Sequence, residues 1–249
     1  MFEAFVFIFG LMVGSFLNVV IYRTYRGIGF VKGRSYCPHC KHHLEIFDLI
    51  PLFSFMSLRG KCRYCEKKIS WQYPIVEFVT AGSFLALFMY FGPSAEFLVY
   101  AVYVAFCIII FVHDFKYSLI LDQISLPGIV VGLIGSTVFL RMSLVDVGLG
   151  VLIGAGFFMI QYAISRGKWI GGGDIRLGAM MGAMLGWKYL LVALFISYIV
   201  GSIFGIALIL AGRKKWGSHV PLGTFLTVAM YATFFAGPAL VEYYWNGFF

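Results

Sequence analysis

The chain has 249 residues, of which 61% are apolar and 12% charged, and its formal net charge is +8. A soluble domain carries about a quarter charged residues, so this composition does not fit one. The positive balance calls for no nucleic-acid partner either, because the basic residues stand between apolar runs, as in the cytosolic loops of membrane proteins.

The first apolar run, Phe2–Tyr22, contains no Lys or Arg and is followed directly by Arg23. It lacks the basic start of a cleaved signal peptide and reads as a retained span. A polar insert follows over residues 23–73. Further runs of spanning character lie at Pro74–Phe91, Ala95–His113, Ile124–Leu140, Val145–Ser165, Ile175–Trp187, Tyr189–Ala211 and Leu222–Trp245, measured against the roughly 20 residues that cross a bilayer. The expectation is an all-α polytopic membrane protein of about eight transmembrane helices. Its parts are a first helix (1–22), a small cytosolic zinc-binding insert (23–73) and a helical transmembrane domain (74–249). No internal repeat stands out, and most of the 29 glycines read as packing positions, since small residues let membrane helices approach closely.

With eight spans, alternate loops share a side. The insert and the loops on its side then hold every one of the 19 Lys and Arg residues except Arg141 and Lys188. Basic residues concentrate on the cytosolic side, so the insert faces the cytosol and both termini face out. The run Arg213-Lys214-Lys215 reads as part of this anchor.

Within the insert, Cys37-Pro-His-Cys40 and Cys62-Arg-Tyr-Cys65 form two CxxC pairs separated by 21 residues. Each pair can present two sulfurs to one tetrahedral ion, and a reducing cytosol argues against disulfides. Cys37, Cys40, Cys62 and Cys65 are therefore the expected ligands of a structural Zn2+. His39, His42 and His43 read as solvated loop residues, and Cys107 as a small buried hydrophobe.

Charge at the edge of a span is rare and usually functional. Asp114 ends the third span, and Asp174 opens the sixth after Gly171-Gly-Gly173. The topology puts both at cytosolic helix ends. Two carboxylates at close range share one proton, so one can act as base while the other acts as acid. Glycines before Asp174 would let an extended substrate backbone approach. The bland reading, helix-end acids with Asp174 as an N-terminal cap, stays open, and Asp122 competes with Asp114. His113 reads as an interfacial histidine. Glu77 reads equally as a binding residue or as the partner of a nearby base.

Several stretches resemble the type IV prepilin peptidases. They are Gly14-Ser-Phe-Leu-Asn18, Arg34-Ser-Tyr-Cys37-Pro-His-Cys40, Leu49-Ile-Pro51, Leu58-Arg-Gly-Lys61-Cys62-Arg-Tyr-Cys65, Tyr73-Pro74-Ile-Val-Glu77, Gly171-Gly-Gly-Asp174 and Pro221-Leu-Gly-Thr-Phe225. The GxGD run is similar to that of preflagellin and presenilin-type proteases. The resemblance implies a bifunctional enzyme of the bacterial cytoplasmic membrane that serves type IV pili or type II secretion. It would remove the short basic leader of a prepilin or pseudopilin at the cytosolic face. It would then methylate the new N-terminus with S-adenosylmethionine, although no nucleotide fingerprint marks a site for that cofactor. It maps the catalytic pair onto Asp114 and Asp174 and gives Asp122 a supporting role. Leu121 stands where the family often has Pro, and Lys116 where many bacterial members have Asp. A basic insert is a poor electrostatic match for a basic leader. Two rival classes are an ion- or proton-coupled transporter or channel using the paired acids, and a non-catalytic scaffold of a pilus or secretion machine.

Overall fold

The computed structural model describes residues 1–31, 33–213 and 220–248, the last five by backbone alone. Lys32, Lys214 and Lys215, which the charge argument counts, lie outside the described residues. Trp245, the expected end of the last span, is described by its backbone only. The helices are α1 (Phe2–Tyr25), α2 (Phe53–Ser57), α3 (Gln72–Phe91), α4 (Ala95–Tyr117), α5 (Asp122–Ile134), α6 (Leu144–Ser165), α7 (Gly172–Leu210) and α8 (Leu222–Phe248). A 3-10 turn over Ile46–Leu49 precedes α2, and α5 runs on into a π-helical turn over Gly135–Phe139. Among the described residues, pairing of extended backbone is limited to two isolated bridges. Seven helices among the described residues are long and apolar enough to cross a membrane. Helices prevail because hydrocarbon offers no partner to a backbone N–H or C=O.

The chain forms two compact units, Met1–Phe97 and Leu98–Phe249. In the first, α1 and α3 meet backbone to backbone. A Cβ on Gly10 would lie 2.6 Å from Ala81 Cα, and one on Gly14 would lie 2.7 Å from Glu77 Cα. The spacing Gly10-x-x-x-Gly14 puts both glycines on one face, which permits this approach. Asn18 then ties the start of α3 to α1. Its Nδ2 donates to Tyr73 O at 3.1 Å, and its Oδ1 accepts from Gln72 Nε2 at 3.2 Å. Arg23 is buried, and its guanidinium donates to the carbonyls of Gly33 and Arg34, each at 3.1 Å. This basic residue gathers the chain that leaves α1.

In the second unit α7 is 39 residues long, roughly 58 Å at 1.5 Å per residue and about twice the hydrocarbon thickness. It is broken at Gly186 (φ 68°, ψ 173°), a conformation essentially confined to glycine. A Cβ on Gly154 of α6 would meet both the Gly178 backbone before the break and Leu190 Cδ2 after it. The two arms of α7 therefore run back beside each other along α6, and they coincide with the sixth and seventh spans expected from the sequence. Gly150 and Gly154 of α6 face Gly182 and Gly178 of α7 so closely that each added Cβ would meet opposing backbone. The break frees carbonyls inside the protein, and Ser136 Oγ donates to one of them, Met184 O, at 3.1 Å. Tyr103 OH donates to Gly132 O at 3.1 Å and lies 2.9 Å from Ser136 Oγ.

Gly182→Leu should lower the thermal midpoint of the detergent-solubilised protein, as expected for an overpacking cost of about 1–3 kcal/mol or more. Gly156→Ala, where an added Cβ meets nothing within 4 Å, should leave the midpoint unchanged or raise it.

Candidate metal centre and candidate active site

The two CxxC segments fold as equivalent knuckles. Tyr36 bridges His43 in the first and Lys61 bridges Lys68 in the second. The N–H groups of Cys37 and Cys62 donate to His42 O and Lys67 O, each at 2.9 Å. Lys41 and Glu66, directly after the second cysteine of each pair, both take positive φ. The structure thus contains a short internal repeat that the sequence reading did not detect, because only the cysteines are shared between the copies.

The knuckles bring the sulfurs of Cys37, Cys40, Cys62 and Cys65 within 4.8 Å of one another, and Cys37 Sγ lies 3.9 Å from Cys65 Sγ. A tetrahedral ion with metal–sulfur bonds of 2.3 Å requires sulfurs about 3.8 Å apart, so the cluster can hold a metal ion. The Lys67 N–H favours the Cys65 thiolate, but desolvation and the other three sulfurs outweigh it and push the thiol up to about 11. A cation that replaces the protons removes this crowding. His39, His42 and His43 are exposed, and the ring of His42 lies 3.7 Å from that of Tyr64. Cys107 is buried within α4.

Asp48 ties the second knuckle to the 3-10 turn. It accepts from Arg63 Nε at 2.7 Å, Tyr64 OH at 3.1 Å and its own turn's Glu45 N–H at 3.2 Å. Desolvation alone would raise its carboxyl, but these donors outweigh it and hold the group below the usual carboxylate range. Glu77 is buried in α3, and its Oε2 accepts the Leu52 N–H at 2.9 Å. Its described partner is thus a backbone amide of the insert, at a residue held at positive φ.

The aspartates belong to the second unit. Asp114 sits in the last turn of α4, four residues beyond Ile110, because the helix runs on past the expected end of the third span to Tyr117. Asp174 sits in the first turn of α7. They are 5% and 9% exposed. Asp114 Oδ2 accepts from Thr224 N at 2.7 Å and Thr224 Oγ1 at 3.1 Å, both from the first turn of α8. Asp174 Oδ2 accepts the Gly171 N–H at 2.9 Å, closing the start of its own helix.

Ile120, in the loop between α4 and α5, packs against the glycine that precedes Asp174 and the glycine that lies beside Asp114. A Cβ on Gly173 would be 2.8 Å from Ile120 Cβ. A Cβ on Gly223 would be 3.2 Å from Ile120 Cδ1 and 3.0 Å from Asp114 Oδ2. One isoleucine thus meets both the glycine before Asp174 and the glycine beside Asp114. Gly173 makes room for it, and Gly171 and Gly172 are exposed, a Cβ on Gly171 meeting Asp174 Oδ2 at 3.7 Å and one on Gly172 meeting nothing within 4 Å.

Asp122 forms an ion pair with Arg176, two residues beyond Asp174. It joins the start of α5 to the start of α7 and does not compete for the carboxylate pair. His113 is buried, and its ring packs 5.9 Å from that of Tyr117. Adjacent helical positions do not face each other, so His113 does not share the face of Asp114. Ile120 was not singled out by the sequence, and Thr224 entered only within the Pro221–Phe225 stretch that resembles the family, with no role assigned to it.

The Bacterial Peptidase A24 N-terminal domain model matches residues 8–91, and the Type IV leader peptidase family model matches residues 101–206. The chain is 33% identical to a prepilin leader peptidase/N-methyltransferase of Aeromonas hydrophila, over 98% of this chain and 93% of that one. It is 33% identical to the protein of the same name from Bacillus subtilis (strain 168), over 96% of each. For the Myxococcus xanthus (strain DK1622) protein of that name the identity is 35%, over 85% of this chain and 64% of the relative. No solved structure matches the chain.

Purified protein should carry one metal ion per chain by elemental analysis. Cys62→Ser should lose that ion, and chelation should open the insert to trypsin at Arg59 and Lys61.

Proposed function

The chain belongs to the type IV leader peptidase family, and from that premise we propose that Asp114 and Asp174 hydrolyse the leader peptide bond of a prepilin or pseudopilin. The observation that carries this reading is that both acids are buried at helix ends whose glycines, Gly173 and Gly223, meet the same Ile120, with exposed backbone at Gly171 and Gly172 beside Asp174.

The chemistry divides between the two acids. One carboxylate takes a proton from water as its oxygen attacks the scissile carbonyl carbon, while the protonated partner gives its proton to the carbonyl oxygen. Collapse of the tetrahedral species breaks the C–N bond, and the leaving amine takes up a proton. Thr224 positions Asp114 by holding its Oδ2 with two donors. Exposed glycine backbone beside Asp174 suits an extended substrate strand.

The bilayer is the protein's solvent, the cytoplasmic membrane its location, and the cytosolic face the side of cleavage, with both termini outside. The metal we assign to Cys37, Cys40, Cys62 and Cys65 is zinc. Four protein thiolates close the ion's shell and leave no position for substrate, so it staples the insert and takes no part in hydrolysis. Methylation of the new N-terminus with S-adenosylmethionine follows from the names of the relatives. Among the described residues no strand-linked glycine-rich loop would cradle a nucleotide, so the methyl donor is assigned no residues and no step is routed through it. The relatives lend no support to the transporter or scaffold readings.

Membranes containing the wild-type protein should cleave a co-expressed prepilin. Asp114→Asn and Asp174→Asn should each lower the rate by roughly 10²- to 10⁴-fold while inserting normally, and undiminished cutting by either would refute the pair. Thr224→Val should lose roughly ten- to a hundredfold, the worth of a hydrogen bond to a charged group, and Thr224→Ser should recover most of it.

A further inference from the structure

The insert joins α1, which ends at Tyr25, to α3, which begins at Gln72. Because these two spans are packed together, the insert is anchored at the bilayer surface at both ends. It nevertheless leaves large apolar side chains in the open. Ile46, Phe47, Phe53, Met56 and Trp71 are between 64% and 82% exposed. They are not scattered. Ile46 and Phe47 stand on the 3-10 turn that packs against α2, and Phe53 and Met56 share one face of α2 at i, i+3 spacing.

Two further features indicate what covers this surface. First, it is continuous with a face already in lipid. Phe55 of α2 packs against Trp71 with ring centroids 4.9 Å apart. From Trp71 an exposed apolar stripe runs down α3 through Ile75, Phe78 and Val79, at the helical spacing of a single face. A tryptophan at the mouth of a span is a usual marker of the headgroup level. Second, the surrounding charge is basic. Lys41, Arg59, Lys61, Lys67 and Lys68 are all exposed, whereas Asp48, one of the few acids nearby, is neutralised by Arg63. Basic residues beside an amphipathic surface are drawn to anionic lipid headgroups.

We propose that the segment from the 3-10 turn through α2 lies in the headgroup layer, with Ile46, Phe47, Phe53 and Met56 among the upper acyl chains and the surrounding lysines and arginines on anionic phosphates. The partner is the lipid surface, which gives the insert's charge a role other than meeting a basic leader. The inference needs only the membrane spans and stands apart from the peptidase reading.

The test is photocrosslinking of the full-length protein in nanodiscs, without substrate. Phe53→p-benzoylphenylalanine and Met56→p-benzoylphenylalanine are compared with the same change at Glu66 on the second knuckle, after each variant is shown to elute as wild type does. Phospholipid adducts at 53 and 56, identified by mass and several-fold more abundant than at 66, are expected, with a yield that rises when phosphatidylglycerol is added to phosphatidylcholine discs. Absence of lipid adducts at 53 and 56, equal labelling at 66, or adducts only to a second copy of the chain would overturn the proposal. Adducts that form only when a prepilin is added, and to the prepilin alone, would overturn it in favour of a protein partner.

Discussion

A carboxylate in an apolar helix is costly unless donors reach it, and the donors that reach Asp114 come from Thr224, 110 residues further along the chain. That contact brings the start of α8 to the end of α4. It also requires the absence of a side chain at Gly223, whose Cβ would crowd the carboxylate and Ile120 together. Ile120 in turn fits against Gly173, so the start of α7 is drawn to the same place. Three helix ends separated in sequence are thereby assembled around one acid, and the second acid arrives with them.

The same economy of side chains governs the rest of the second unit. α6 and α7 approach through paired glycines, Gly150 and Gly154 against Gly182 and Gly178, because in lipid packing rather than hydrophobicity holds helices together. The break at Gly186 lets α7 turn back, and Ser136 and Tyr103 satisfy the carbonyls near that turn. Ser136 and Tyr103 thus finish backbone hydrogen bonding where helices are interrupted, whereas Ser197, Thr227 and Thr233 bond back within their own helices. Asp114 and Asp174 stand apart because they are buried acids.

In the first unit the cluster of four cysteines, which can hold a metal ion, stands where a core would. The insert's large apolar residues face outward, and its inward contacts are sulfur, the Asp48 cluster and the Glu77–Leu52 hydrogen bond. A segment of this size has too little surface to bury for stability by packing alone. A metal ion held by the four thiolates would staple the segment without drawing on its large apolar residues.

The sequence by itself determined the helical membrane class, the apolar runs that form the spans and the four cysteines that can hold a metal ion. Each rests on a local pattern: apolar run length, the placement of Lys and Arg, and a two-residue spacing within each CxxC pair. The boundary it expected between the sixth and seventh spans, at Lys188, falls two residues past the break at Gly186. Only the tertiary structure decided that Asp122 is bound to Arg176, that His113 is buried off the acidic face, that Gly173 makes way for Ile120 and that Thr224 holds Asp114. These are contacts between residues far apart in the chain, set by which helix ends meet, and no periodicity within a single helix records its neighbours. The repeat of the two knuckles was hidden for a related reason: it is a repeat of backbone conformation and hydrogen bonding, carried by residues of unlike chemistry.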